Sequence, residues 1–169
     1  MFKPSRPRLP LLFLLVTLVA PLLNPTHARD GSYRKLINRM RSVCDLNARI
    51  CRLSTIDSIY GLGTQGLCGA DACQQHVMRI GCGAPSLPHV FVSGALHGDE
   101  RLGPIATVEF GALLMRQYGR SRWSTRMVNT RCIVLFPIAN ARGYYMRERE
   151  DNGVDPNRCP LRHAIAQCY

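Results

Sequence analysis

Residues 88–104, PHVFVSGALHGDERLGP, hold the reading that decides the fold. The segment begins with a continuous apolar run, Val90-Phe91-Val92, as expected of a strand buried on both faces. It ends on Gly103-Pro104, which opens a helix, because proline at the first helical position lacks only an N–H that has no intrahelical partner there. Ile105, Val108, Ala112 and Met115 then recur at helical spacing as an apolar stripe, and Gly119 is a stop signal. A second apolar run, Cys132 to Phe136, is broken by Pro137. Strand, helix, strand at this separation is a βαβ unit, so the two strands are expected to be parallel. The loops after both strands then leave the sheet on one edge, where ligands collect in open α/β sheets. His97, Asp99 and Glu100 stand in the first of these loops, where charge is costly unless a metal, a partner charge or open solvent receives it.

Upstream, Tyr33 to Val43 alternates cationic and apolar residues, which suits a short surface helix. Cys44 to Gly69 reads as irregular, with Gly61, Gly63, Gly66 and Gly69 marking turns. Val77 to Ile80 is a short strand closed by Gly81-Cys82-Gly83. The first 28 residues have the layout of a secretory signal peptide: Lys3, Arg6 and Arg8, an apolar run from Leu9 to Leu23, then Thr26-His27-Ala28. That run is short for a bilayer span, so stable membrane insertion is not expected. A secreted protein is expected, with residues 29–52 as a lead-in, 53–158 as the body of the domain and 159–169 as an atypical tail.

All eight cysteines lie beyond the signal segment, and no Cys-x-x-Cys occurs. An even count after a signal peptide favours disulfides over a zinc site, although sequence does not choose their pairing. The formal net charge is +11, from 22 basic and 11 acidic residues. The arginines are scattered rather than blocked, so nucleic-acid binding is not expected.

His97 and Glu100 are three residues apart, and imidazole with carboxylate is a good zinc pair. The tetrapeptide alone also suits a solvated helix flank, with its acids favouring the helix dipole. The second loop adds Pro137-Ile138-Ala139-Asn140-Ala141-Arg142-Gly143 and Gly153-Val154-Asp155-Pro156-Asn157-Arg158. With His97-Gly98-Asp99-Glu100 before them, these segments in this order resemble the zinc carboxypeptidase family, enzymes of the carboxypeptidase A and B type. The resemblance implies an α/β fold with a central mixed, largely parallel sheet flanked by helices. It implies one zinc ion held partly by His97 and Glu100. Arg149 would polarise the scissile carbonyl, with Arg147 as the other register. Asn157 and Arg158 would hold the terminal carboxylate of a peptide or protein C-terminus. The family's third zinc ligand and its general-base glutamate lie further downstream, and His163 fits neither by position nor by setting. The expectation is therefore a truncated domain, the N-terminal half of a metallocarboxypeptidase, incomplete as an enzyme by itself. The alternatives are a zinc deacylase of the aspartoacylase or succinylglutamate desuccinylase kind, and a non-catalytic binder of peptide C-termini.

Overall fold

The computed structural model describes residues 33–60, 66–69 and 71–158. The expected signal peptide and the 159–169 tail, with Cys159, His163 and Cys168, lie outside the described residues, as do Gly61 and Gly63.

Helix α1 (Tyr33–Asp45) buries Tyr33, Leu36, Ile37, Met40, Val43 and Cys44. The spacing of three and four residues makes one continuous apolar stripe, so α1 is a core helix with a cationic outer side rather than a surface one. Arg39 on its outer side donates two hydrogen bonds to Glu109, at 2.7 and 2.9 Å. A disulfide from Cys44 to Cys51 closes the turn into strand β1 (Cys51–Thr55). This strand falls inside the stretch expected to be irregular. Its five residues show no clean alternation, and its antiparallel partner, β4 (His76–Ile80), supplies the order. Between them lie a short helix α2 (Ile56–Tyr60) and the two-residue strands β2 (Leu67–Cys68) and β3 (Asp71–Ala72). The β2–β3 hairpin is closed by a Cys68–Cys73 disulfide.

Strand β5 (His89–Ser93) leads to helix α3 (Leu102–Gln117), helix α4 (Arg122–Thr130), strand β6 (Cys132–Phe136) and helix α5 (Ala141–Met146). The four-stranded sheet runs β1-β4-β6-β5, and β5 and β6 are parallel, as the βαβ reading requires. The sheet is mixed and flanked by helices, and among the described residues its parallel character is confined to that pair; β1–β4 and β4–β6 are antiparallel. Helix α3 covers one face with Val108, Ala112 and Leu114 buried. Its Gly111 lets the backbone come close: a Cβ there would lie 2.8 Å from Leu135 and 3.1 Å from Met78. Met78, Ile80, Ile133 and Leu135 are fully buried beneath it. Each such side chain contributes about 1.5–3 kcal/mol of hydrophobic stabilisation.

The expectation for β5 fails in one respect. The strand occupies an edge of the described sheet, and Phe91 is 63% exposed rather than buried. An apolar run of three residues does not distinguish a strand covered on both faces from one with a bare face, and neighbours alone decide.

A candidate metal and carboxylate site at the sheet edge

The loops after β5 and β6 are fastened to each other by backbone hydrogen bonds that continue the sheet. Gly94 N donates to Phe136 O at 3.0 Å, Ala139 N to Gly94 O at 3.2 Å, and Asn140 N to Ala95 O at 2.9 Å. Ala95 has a φ of 41°, an uncommon backbone for a residue with a Cβ. Two residues on, the chain turns back on itself with Glu100 N donating to His97 O. Gly98 permits that turn beneath α5. A Cβ there would lie 2.0 Å from the Gly143 carbonyl carbon, 2.3 Å from Tyr144 N and 2.4 Å from Glu148 O. Arg101 adds a clamp, lying 3.5 Å over the Tyr144 ring and donating to the Gly98 and Tyr144 carbonyls.

His97 is 5% exposed, and both ring nitrogens are engaged. Nδ1 lies 2.8 Å from Glu100 Oε1 and Nε2 lies 3.1 Å from Asp155 Oδ1. Asp155 also accepts the Asn157 backbone N–H at 2.8 Å and Arg149 Nε at 3.1 Å. Arg149 O in turn receives Gly98 N at 3.3 Å and Asn140 Nδ2 at 3.4 Å. Asn140 caps α5 by accepting Gly143 N at 2.8 Å.

The electrostatics follow from these contacts. The hydrogen bond to Glu100 raises the His97 pKa more than burial lowers it, and Asp155 adds to the rise. Burial pushes the Asp155 carboxyl up, but Asn157, His97 and Arg149 together hold it below its ordinary value. A histidine that gives one N–H to a carboxylate presents its other nitrogen as a lone-pair donor. With Nε2–H on Asp155, the proton that Nδ1 shares with Glu100 Oε1 across 2.8 Å is the one a metal ion would replace, leaving Nδ1 and the carboxylate as adjacent donors. The donor set therefore fits zinc as two of its ligands. Among the described residues no group of three His, Cys, Asp or Glu side chains is arranged to hold a metal ion.

The three sequence segments thus meet. His97 and Arg149 are joined through Asp155 and Glu100 is joined to His97, whereas Asn157 enters by its backbone and has an exposed side chain. Arg158 is exposed, and its guanidinium donates to Asn157 O. Arg147, the other register for Arg149, is the exposed left-handed cap of α5. Asp155 was given no role by the sequence reading. Its signal was its place inside the Gly-x-Asp-x-Asn-Arg segment, two residues before Asn157. Arg101 left no signal, because the ring it covers and one of its two carbonyl acceptors belong to Tyr144, 43 positions away.

Six of the eight cysteines form disulfides, Cys44–Cys51, Cys68–Cys73 and Cys82–Cys132, which removes those thiols as metal ligands. No described helix is long and apolar enough to cross a membrane.

Comparison with known proteins gives a consistent picture. The fold resembles a crystal structure of thrombin-activatable fibrinolysis inhibitor, with a TM-score of 0.60 and 12% identity, over 73% of this chain and 30% of that one. It also resembles the bovine form of that inhibitor in complex with tick carboxypeptidase inhibitor, with a TM-score of 0.55 and 12% identity, over 73% and 37% of the two chains. The present chain therefore spans about a third of the length of these structures. A search against curated proteins gave no match. The profile of the zinc carboxypeptidases matches residues 73–169, and a match over more than half of the chain, on a sheet edge that joins all three motif segments, means that this chain belongs to the zinc carboxypeptidase family.

Proposed function

We propose that this chain is the N-terminal part of a secreted zinc metallocarboxypeptidase that removes C-terminal amino acids from peptides. The observation that carries the reading is the His97 ring, held by Asp155 at Nε2 while Nδ1 and Glu100 stand as adjacent donors. His97 and Glu100 hold zinc, with a further ligand supplied from outside the described residues. Zinc bound there supplies Lewis-acid polarisation of a carbonyl and acidifies a water molecule.

The remaining roles belong to the loop after β6. Arg149 gives only its Nε to Asp155, which leaves its terminal nitrogens to stabilise negative charge developing on the scissile carbonyl oxygen. The exposed Arg158 fork, with the Asn157 amide, holds the substrate's terminal carboxylate, a geometry that a planar guanidinium matches bidentately. Three disulfides support folding in an oxidising compartment, and hence secretion.

The test is an assay on the full-length form, this chain together with the segment that supplies the further zinc ligand, recovered from the medium of expressing cells. Peptides with free C-termini are compared with the same peptides amidated and with N-acyl amino acids. Expected are release of the last residue from free-ended peptides only, loss of release with chelator, and loss in His97→Gln. Hydrolysis of N-acyl amino acids without peptide hydrolysis would instead identify a zinc deacylase. Chelator-insensitive binding of free-ended peptides without turnover would identify a non-catalytic binder.

A further inference from the structure

At the opposite end of the sheet from His97 lies a groove of about 590 Å³ that the proposed peptidase chemistry does not use. It is lined by Arg49, Arg52 and Arg79 together with Cys82, Val128 and Asn129. Arg52 and Arg79 are direct register partners on the antiparallel β1–β4 pair. Like charges placed opposite each other on such a pair are destabilising, because their Cβ atoms stand only about 5 Å apart. All three arginines are exposed. Among the described residues no acidic side chain lines the groove or forms an ion pair with them. Asp45, the nearest acid in sequence, ends α1 and does not reach the groove. Elsewhere the sequence withholds acids from this end: none occurs between Asp71 and Asp99, or between Glu109 and Glu148.

The walls are also fixed. Cys82, on the rim, is bonded to Cys132 at the start of β6, and Arg49 sits inside the loop closed by Cys44–Cys51. The Asn129 amide oxygen accepts the Tyr118 hydroxyl at 2.9 Å, which turns its donor end outward. A rigid, uncompensated cluster of guanidinium forks is matched to a tetrahedral oxyanion.

We propose that this groove binds the sulfate esters of a sulfated polysaccharide. Two observations favour that occupant over a nucleic acid. No aromatic ring lines the groove to stack a base, and three disulfides suit an oxidising compartment, where sulfated polysaccharides rather than nucleic acids are met. The inference stands independently of the peptidase reading, because none of its residues touches the His97 edge.

The experiment is titration calorimetry of the full chain with a heparin-derived octasaccharide at about 50 mM salt, repeated at higher salt. Expected is binding that weakens about tenfold or more in Arg52→Gln/Arg79→Gln, with a shallower salt dependence. Arg41→Gln/Arg120→Gln, which removes two exposed charges away from the groove, should change affinity less than about twofold. Thermal melting gives a second reading. Arg79→Gln should melt no lower than the parent at low ionic strength, because a repulsive pair has gone, and octasaccharide should raise its melting temperature less. Equal losses in the two double variants would overturn the proposal, as would no binding at low salt. Tighter binding of a single-stranded oligonucleotide, or displacement by inorganic phosphate at equal anion concentration, would overturn the polysaccharide as occupant.

Discussion

At Asp155 one carboxylate accepts from His97, from Arg149 and from the backbone of Asn157, so it fixes the ring that faces Glu100 and the loop that carries Arg149. Its loss reaches any ion held at Nδ1. Asp155→Asn should weaken zinc binding about 10–100-fold, measured by competition with a chromophoric chelator, while His97 and Glu100 remain present. An unchanged affinity would remove the positioning role. Gly98 makes a second residue-scale case, since its Cβ would enter the backbone of α5. Backbone cannot rotate away as a side chain can, so Gly98→Ala should cost about 3 kcal/mol, read as a lowered midpoint in urea unfolding. His97 and Glu100 were legible because both fall in one short segment. The Asp155 bond spans 58 positions, and no local pattern marks a partner at that range.

Elements were legible where a period repeated and obscure where it did not. Helix α3 offered four apolar positions at helical spacing, of which Val108, Ala112 and Met115 are buried. Strand β1 offered five residues with a cysteine and an arginine at its start, and only its pairing with β4 makes it a strand. The pairing of α1 with α3 likewise could not be read from either helix alone. Arg39 reaches Glu109 across 70 residues and, beside it, holds the Glu109 carboxyl below the usual carboxylate range. A carboxyl lowered on folding contributes stability that is complete above its unfolded pKa, about 4.3, and is lost as pH falls through the folded value. The pair is partly exposed, so solvent screens it and its worth is about 0.5–1 kcal/mol. Glu109→Gln should lose that amount at pH 7, and parent and variant should converge in urea unfolding at pH about 3. A difference that persists at low pH would mean that packing, not charge, joins the helices.

Over the whole molecule, the disulfides staple regions of different reach. Cys82–Cys132 closes a loop of 50 positions, against 7 and 5 for Cys44–Cys51 and Cys68–Cys73. Loop-closure entropy assigns about 4 kcal/mol to the long loop and about 2 kcal/mol to each short one. Replacing Cys82 and Cys132 by serine should therefore lower stability about twice as much as replacing either other pair, measured by chemical unfolding under non-reducing conditions. Equal losses would mean that local strain outweighs chain entropy. The evenness of the cysteine count was visible from sequence, but which sulfur meets which depends on the sheet order, and that order is set by non-local pairing. The same sheet order leaves β5 on an edge, with its far row of N–H and C=O groups unclaimed by any described strand. Adjacent strands lie about 4.8 Å apart. Any strand laid parallel along β5 would end one lattice step from Ser93, and its following loop would emerge directly beside His97. The bare flank is thus an address as well as a seam: whatever chain segment zips onto β5 is delivered, by the pitch of the sheet alone, to the mouth of the loop that carries His97 and Glu100.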